Sequence, residues 1–410
     1  MNKIDVTPQN QRFESLDLIR GIAIIGILLI NIQSFGFVIS SYMNPFVGND
    51  LVGLNLLSWL FTHIVVDQKL YTIFSMLFGA GIVLLASRIE DKGLSAAKYH
   101  YRRNFFLLII GLCHASFIWY GDILTIYAFL AFFVYFFWRA QVKTLLIVGL
   151  SSVFIVVPMF YYFSISLVGE QAAMIQADFW PSMQQIADEK SGYLGNYAEN
   201  FVQRASMGND SQTYEMVAIL RIFGSMLIGM ALLKTGFLNG QLAKHRYIRI
   251  AKISFGIGLP LVLASALSIY LSGFEDAVFS RYRLGLLNYT GSFFLAIAYI
   301  AMINLWFISD KAPKVKERLK AMGQMAFTNY LLQSVICTTI FYGFGLGLFG
   351  QLSRFEMLMI ALAVVLVQFV YSAPWLKRFK MGPLEWVFRW LTYFKLPTFV
   401  RRSEPELTDS

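Results

Sequence analysis

Apolar residues in this chain run in long blocks and do not alternate with polar ones at every second position. Ten such blocks lie near 18–39, 69–88, 104–120, 122–138, 143–167, 214–233, 249–272, 284–307, 327–349 and 355–376. Each is close to the ~20 residues an α-helix needs to cross about 30 Å of hydrocarbon. Hydrocarbon offers the backbone no water to bond, and strand-type alternation is absent, so helices are expected and a β-barrel is excluded. The expected fold is all-α, a polytopic integral membrane bundle of about ten transmembrane helices. One transmembrane domain over 1–376 and a cytoplasmic tail over 377–410 describe the organisation.

Between the third and fourth blocks only Gly121 and Asp122 break the apolar run, which predicts a tight helical hairpin. The 51–67 segment is apolar but short and carries His63 and Asp67, which predicts an interfacial or re-entrant helix. The one long hydrophilic stretch, about 170–213, reads as an outside loop of the kind that is often functional. Sixteen fairly polar residues precede the first block, so the start reads as an uncleaved signal anchor.

Composition agrees: of 410 residues, 57% are apolar and 14% charged, against roughly 25% charged in soluble chains. Mean hydropathy is +0.59. These values exclude a soluble enzyme and a disordered chain. The net charge of +10 could suggest nucleic acid, but its distribution argues otherwise. With both termini cytoplasmic, 25 of the 34 basic residues fall in inside segments, from Lys3 and Arg12 to Arg402. The positive-inside rule accounts for this charge with a lipid bilayer as partner and no nucleic acid. Cys113 and Cys337 are expected as two buried small hydrophobes without disulfide or metal spacing.

Polar residues inside the apolar blocks carry the candidate chemistry, because a charge at a span's centre costs about 2.5–3.5 kcal/mol even on the permissive scale. The strongest group runs from Gly111 through His114, Ser116 and Trp119 to Gly121, Asp122 and Leu124. A histidine with an orienting carboxylate is what a general base at neutral pH needs. The plainer alternative makes His114 an interhelical contact and Asp122 a helix cap. Asp17 and Arg20 share a helix face at the start of the first block, with Asn31 and Gln33 deeper. Arg20, Arg102 and Arg103 suit an anionic group such as a phosphate, although helix-end arginines also snorkel. Arg221, Glu215 and Arg283 are further polar-cavity candidates. Asn329 and Gln333, four apart, suit interhelical bonds better than ligation. Gly79 and Gly81 suit close helix approach. Gly382 to Arg389 reads as an amphipathic interface helix with Pro383 in its first turn and a Glu385–Arg389 pair. His63, His100 and His245 show no metal-ligand spacing, and the last two are expected in basic loops.

Together, Asp17/Arg20-Gly21 with Asn31, the 74–81 segment, the Gly111–Leu124 hairpin, the Thr328–Ser334 run and Gly382-Pro383-Leu384-Glu385-Trp386 resemble the YeiB family of bacterial inner-membrane proteins. The resemblance covers about 12–395. That family is remotely similar to transmembrane acyltransferases, including the acyltransferase-three group and the lysosomal heparan glucosamine acetyltransferase. The acyltransferase-three group has a histidine near where Asn31 stands, so His114 is the substitute base. The resemblance implies an acyl-CoA co-substrate presented from the cytoplasm, no permanently bound cofactor, and an acceptor reached from the other side.

The leading expectation is a membrane acyltransferase moving an acyl group from a CoA thioester or lipid carrier to an envelope glycan, lipid or small molecule. His114 is the base, Asp122 its orienter, and Arg20, Arg102 and Arg103 hold donor phosphates. A solute transporter is the rival, with helices broken around a central site, for which the glycines of 342–347 leave room. A structural or sensory membrane protein without chemistry is the third.

Overall fold

The computed structural model describes residues 13–48, 51–210 and 212–401, the side chains of 206–217 excepted. Lys3, Arg12, Arg402 and the Glu215 side chain lie outside the described residues.

Most of each of the ten apolar blocks is helical. Helix α1 (Glu14–Gly36) leads through short α2 (Ile39–Met43) to α3 (Gly53–Phe61). A π-helical turn, Thr62–Val66, extends α3, and α4 (Lys69–Glu90) follows a break at Asp67–Gln68. Gln68 has φ +63°, which stops the helical path there. The hairpin is α5 (Ala96–Phe117) and α6 (Leu124–Val134). The next block is a bent pair, α7 (Val142–Phe154) and α8 (Val156–Ser166). The hydrophilic stretch forms three helices, α9 (Glu170–Phe179), α10 (Met183–Leu194) and α11 (Tyr197–Asp210). Then come α12 (Gln212–Lys234) and α13 (Lys244–Ser272). A three-residue helix α14 (Ala277–Phe279) and a second π-helical turn, Ser280–Leu284, enter α15 (Gly285–Phe307). Last are α16 (Pro313–Gln324), α17 (Ala326–Phe341), α18 (Arg354–Arg378) and α19 (Pro383–Tyr393).

Among the described residues, six helical paths are long and apolar enough to cross a membrane: Glu14–Gly36, Gly53–Glu90, Val142–Ser166, Lys244–Ser272, Ala277–Phe307 and Arg354–Arg378. Leu124–Phe137 and Ala326–Phe341 are shorter apolar helices. Large side chains such as Phe136, Leu267 and Leu366 stand exposed, a surface suited to lipid. The protein is a helical membrane protein.

The helix ends that carry most basic residues meet on one side, here the basic face. Ser15 Oγ donates to Leu238 O, Lys320 Nζ lies 2.7 Å from Glu14, and Arg139 lies 2.5 Å from Glu90. Helix α16 packs on the start of α1. A Cβ on Gly21 would lie 2.0 Å from Leu319 O, and one on Gly323 would lie 1.9 Å from Asp17 O, so the backbones touch. That contact explains the glycine after Arg20. Helices α4 and α12 meet in the same way through Gly79 and Gly229. Gly81, expected to share this role, has nothing within 4 Å of its Cβ position.

The opposite, far face is covered by α9–α11. Ile39 N–H donates to Glu189, Lys190 to Gly350 O, and Asn44 to Phe179 O. The ninth block ends as helix at Phe341, not at 349. There Gly343 packs against the α10 backbone, and its N–H donates to Tyr193 O.

Three smaller expectations are corrected. Cys113 is exposed on α5, beside the exposed Leu112, while Cys337 is buried. His100 lies inside α5, fully buried, with Nε2 3.0 Å from Ala131 O. His245 sits in the first turn of α13.

Candidate functional site

The hairpin brings His114 and Asp122 together. His114 Nδ1 lies 2.8 Å from Asp122 Oδ1, and both side chains are 1% exposed. The other carboxylate oxygen accepts from Thr125 N–H and Thr125 Oγ1–H, each at 2.7 Å. Asp122 is therefore at once the cap of α6 and the partner of His114. Gly111, one turn before His114, makes this possible: a Cβ there would lie 2.6 Å from Thr125 N and 3.0 Å from Asp122 Oδ2. An ionised Asp122 requires the imidazole proton on Nδ1. The Nε2 lone pair is then left over, and Nε2 is buried without a hydrogen-bond partner. The rings of Tyr330 and Trp119 stand around it, at 5.4 and 6.4 Å between centroids. Trp119 in turn stacks on Phe35 of α1 at 4.0 Å.

At the basic face Arg20 pairs with Asp17 at 2.8 Å and keeps 30% of its side chain exposed. Arg103 lies within electrostatic range of Arg20, over the rings of Phe78 and Phe388. Arg102 turns elsewhere, over Tyr99 and Phe394. Eleven positions separate Arg103 from His114, about three helical turns, so both lie on one face of α5 roughly 16 Å apart.

The remaining candidates divide. Asn329 and Gln333 join α17 to its neighbours. Gln333 Nε2 donates to Gln368 Oε1 at 2.8 Å, Gln368 Nε2 to Asn329 O at 2.9 Å, and Tyr371 O–H to Asn329 Oδ1. Arg283 ties the start of α15 to α8 through Ser164. Asn31 is half-buried on α1, and the cavity described next is lined by its neighbours Ile30 and Gln33 instead. Glu385 accepts from Phe327 N–H, Thr328 N–H and Thr328 Oγ1–H, which caps α17. The Thr328 run and the Gly382–Trp386 run are thus two halves of one joint.

Towards the far face lies a cavity of about 350 Å³ between α1, the Asp67–Gln68 break, the second π-helical turn and α8. His63, Asp67, Arg281, Asn288 and Tyr289 contribute polar groups to it. Asp67 Oδ2 accepts from Asn288 Nδ2 at 2.7 Å, and Lys69 Nζ donates to Asn288 Oδ1 at 2.8 Å. Arg221 is fully buried behind this wall, bonded to Thr72 Oγ1, Gln68 Oε1 and Tyr289 O. Sequence reasoning passed over His63, Lys69 and Arg281. The available signal was an ionisable pair, Asp67 and Lys69, inside a continuous apolar path. Gln33 faces this cavity while Phe35 faces Trp119, so the cavity and the His114–Asp122 pair lie on different sides of α1.

Residues 232–395 match the family described as Protein of unknown function (DUF418). The uncharacterized protein YxaH of Bacillus subtilis (strain 168) is 31% identical over 98% of this chain and 100% of its own length. The uncharacterized protein YeiB of Escherichia coli (strain K12) is 31% identical over 93% of this chain and 96% of its own. An uncharacterized 39.9 kDa protein from the amylase 3' region of Bacillus acidopullulyticus is 24% identical over 97% of this chain and 99% of its own. No solved structure matches. End-to-end similarity at this level, together with the matched family segment, means that the chain belongs to the YeiB (DUF418) family of bacterial proteins.

Proposed function

We propose that this protein is an acyltransferase of the bacterial cytoplasmic membrane. One observation carries the reading: a buried histidine held by a carboxylate at 2.8 Å with its second nitrogen unpartnered. A purely structural histidine would normally bond both ring nitrogens. A general base needs one oriented nitrogen and one bare one.

In this reading the basic face lies in the cytoplasm, as the positive-inside rule expects. Arg103 and Arg20 receive the phosphates of an acyl-CoA, and Arg102, turned towards Tyr99 and Phe394, stands outside that pair. The three turns of α5 between Arg103 and His114 are comparable with an extended pantetheine arm. His114 Nε2 takes the proton from an acceptor hydroxyl or amine as that group attacks the thioester carbonyl. Collapse of the tetrahedral intermediate breaks the carbon–sulfur bond, and the proton on Nε2 passes to the departing thiolate. Asp122 stabilises the imidazolium between the two steps. The acceptor is an envelope glycan, lipid or small molecule.

The test is acyl transfer and thermal stability of detergent-purified protein with CoA, acetyl-CoA and longer acyl-CoAs. A ligand at 100 times its dissociation constant adds about 2.7 kcal/mol to the folded state. Dose-dependent stabilisation, with transfer abolished in His114→Ala, is expected. Full transfer by that variant removes His114 from the chemistry. No stabilisation by any thioester, in folded protein, moves the assignment to a solute carrier. The interrupted helix at Asp67–Gln68 beside a cavity favours that second reading.

A further inference from the structure

We propose that Arg204, Asn200, Tyr193 and Tyr342, gathered within the far-face cover, form a binding site for an oxyanion, a phosphate or carboxylate, carried by a small hydroxylated molecule. The inference does not rest on the acyl-transfer reading.

Arg204 of α11 is 2% exposed, and among the described residues its Nε, Nη1 and Nη2 have no hydrogen-bond partner. Its guanidinium lies over the Tyr197 ring at 5.1 Å. An arginine keeps its charge in a protein, and taking that charge out of water without a counter-charge is costly. Glu189 is a nearby carboxylate, within electrostatic range of Tyr193 and Tyr342, but it accepts from Ile39 N–H and not from Arg204. An anionic ligand would offset the cost.

The side chains around Arg204 are bare in the same way. The Tyr193 and Tyr342 hydroxyls are buried without partners, and each lies within electrostatic range of Arg204. Their rings stand 5.0 Å apart, and both pack on Phe349, at 4.3 and 6.4 Å. Gly343 N–H donates to Tyr193 O, so the two phenols are held in place before any ligand arrives. Asn200 lies one turn before Arg204 on the same face of α11. Its Nδ2 donates to Tyr193 O and Gly195 O, while its Oδ1 is buried and unpartnered. Buried polar groups are nearly always paired, and a ligand accounts for four bare side chains in one place. Two phenol donors and a guanidinium fork suit an oxyanion, and Asn200 Oδ1, which can only accept, suits a hydroxyl on the same molecule. Tyr197 is 45% exposed, so the guanidinium lies one ring beneath the surface and the ligand arrives from the far face.

The full chain is placed in phosphatidylcholine nanodiscs, and thermal shifts are measured with glycerol 3-phosphate, glycerate and glycerol. The two anions are expected to stabilise, with glycerol giving no shift. Arg204→Gln is expected to weaken the apparent affinity for glycerol 3-phosphate about tenfold or more, the loss of a charge-assisted contact. Its melting temperature without ligand is expected to equal or exceed the parent's, because an uncompensated buried charge is gone; an arginine that only holds the fold together would lower it. Tyr342→Phe, which keeps the ring packing and removes one bare hydroxyl, is expected to weaken the affinity about tenfold. It decides the matter where Arg204→Gln does not fold. Replacing half the lipid by phosphatidylglycerol identifies the source. Loss of the glycerol 3-phosphate shift there assigns the site to an anionic lipid headgroup, and persistence assigns it to a free small anion. Equal stabilisation by glycerol, no anion shift in folded protein, or undiminished shifts in the folded variants overturn the proposal.

Discussion

His114 Nδ1 and Asp122 Oδ1 meet at 2.8 Å across the hairpin turn, while Asp122 Oδ2 holds the first turn of α6 through Thr125. One carboxylate thus serves two partners, and substitutions separate them. Asp122→Ala is expected to lose the cap, about 1–2 kcal/mol, together with the histidine's orientation. Asp122→Asn keeps an acceptor for Thr125 and a neutral partner for the ring. It is expected to retain most of the thermal stability while acyl transfer falls at least about a hundredfold, the usual scale of a general-base contribution. Melting temperature and transfer rate, measured on both variants, check this.

Arg103→Ala is expected to weaken acyl-CoA stabilisation about tenfold or more, as for one lost contact between a charged donor and phosphate. Titration by thermal shift reads this directly. An equal loss for free CoA and acyl-CoA is expected, because the phosphates are common to both.

Gly79 and Gly81 give a paired packing test. A Cβ on Gly79 would lie 2.0 Å from Met226 O, whereas Gly81 is open. Gly79→Ala is expected to destabilise by about 1–3 kcal/mol as α4 and α12 are forced apart. Gly81→Ala is expected to be neutral or to gain up to about 1 kcal/mol of helix propensity. The measurement is the melting temperature of each variant in one detergent.

The far-face cover carries a pH dependence. Desolvation pushes the half-buried Glu189 carboxyl up from 4.5 to about 7, against the Ile39 N–H bond, which favours the charged form. A folded-state value above the unfolded one means the stabilisation is full below about 4.5 and is lost as pH rises through about 7. Hydrogen exchange of the Ile39 amide is expected to show looser attachment at pH 8 than at pH 5, after correction for intrinsic rates. Glu189→Gln, which keeps an acceptor, is expected to remove that dependence.

Helix α17 is fastened from a distant part of the chain. Glu385 accepts from Phe327 and Thr328, and Thr328 Oγ1 accepts from Leu384 N–H in return. Glu385→Ala is expected to cost about 1–2 kcal/mol as a lost cap. Glu385→Gln, which keeps one oxygen acceptor, is expected to cost less. Melting temperatures of the two variants check the order.

Helix positions, membrane character and the gathering of basic residues on one side were legible in the chain, because each depends on runs of local composition. The Gly111–Asp122 spacing likewise announced a hairpin with a histidine and a carboxylate. Contact between them was not legible: it needs the turn at 118–123 to fold Asp122 back, and it needs the missing Cβ of Gly111. The far-half cavity was hidden for a stronger reason. Its walls come from segments more than two hundred residues apart, and it opens where Gln68 takes a left-handed conformation that no hydrophobic pattern specifies. Likewise, Glu385 and Arg389 share a helix face, but Glu385 turns to the bare N–H groups of α17. Local periodicity chose the helices. Which polar side chains meet was decided by packing, because a buried polar group settles wherever the assembled bundle leaves it a partner.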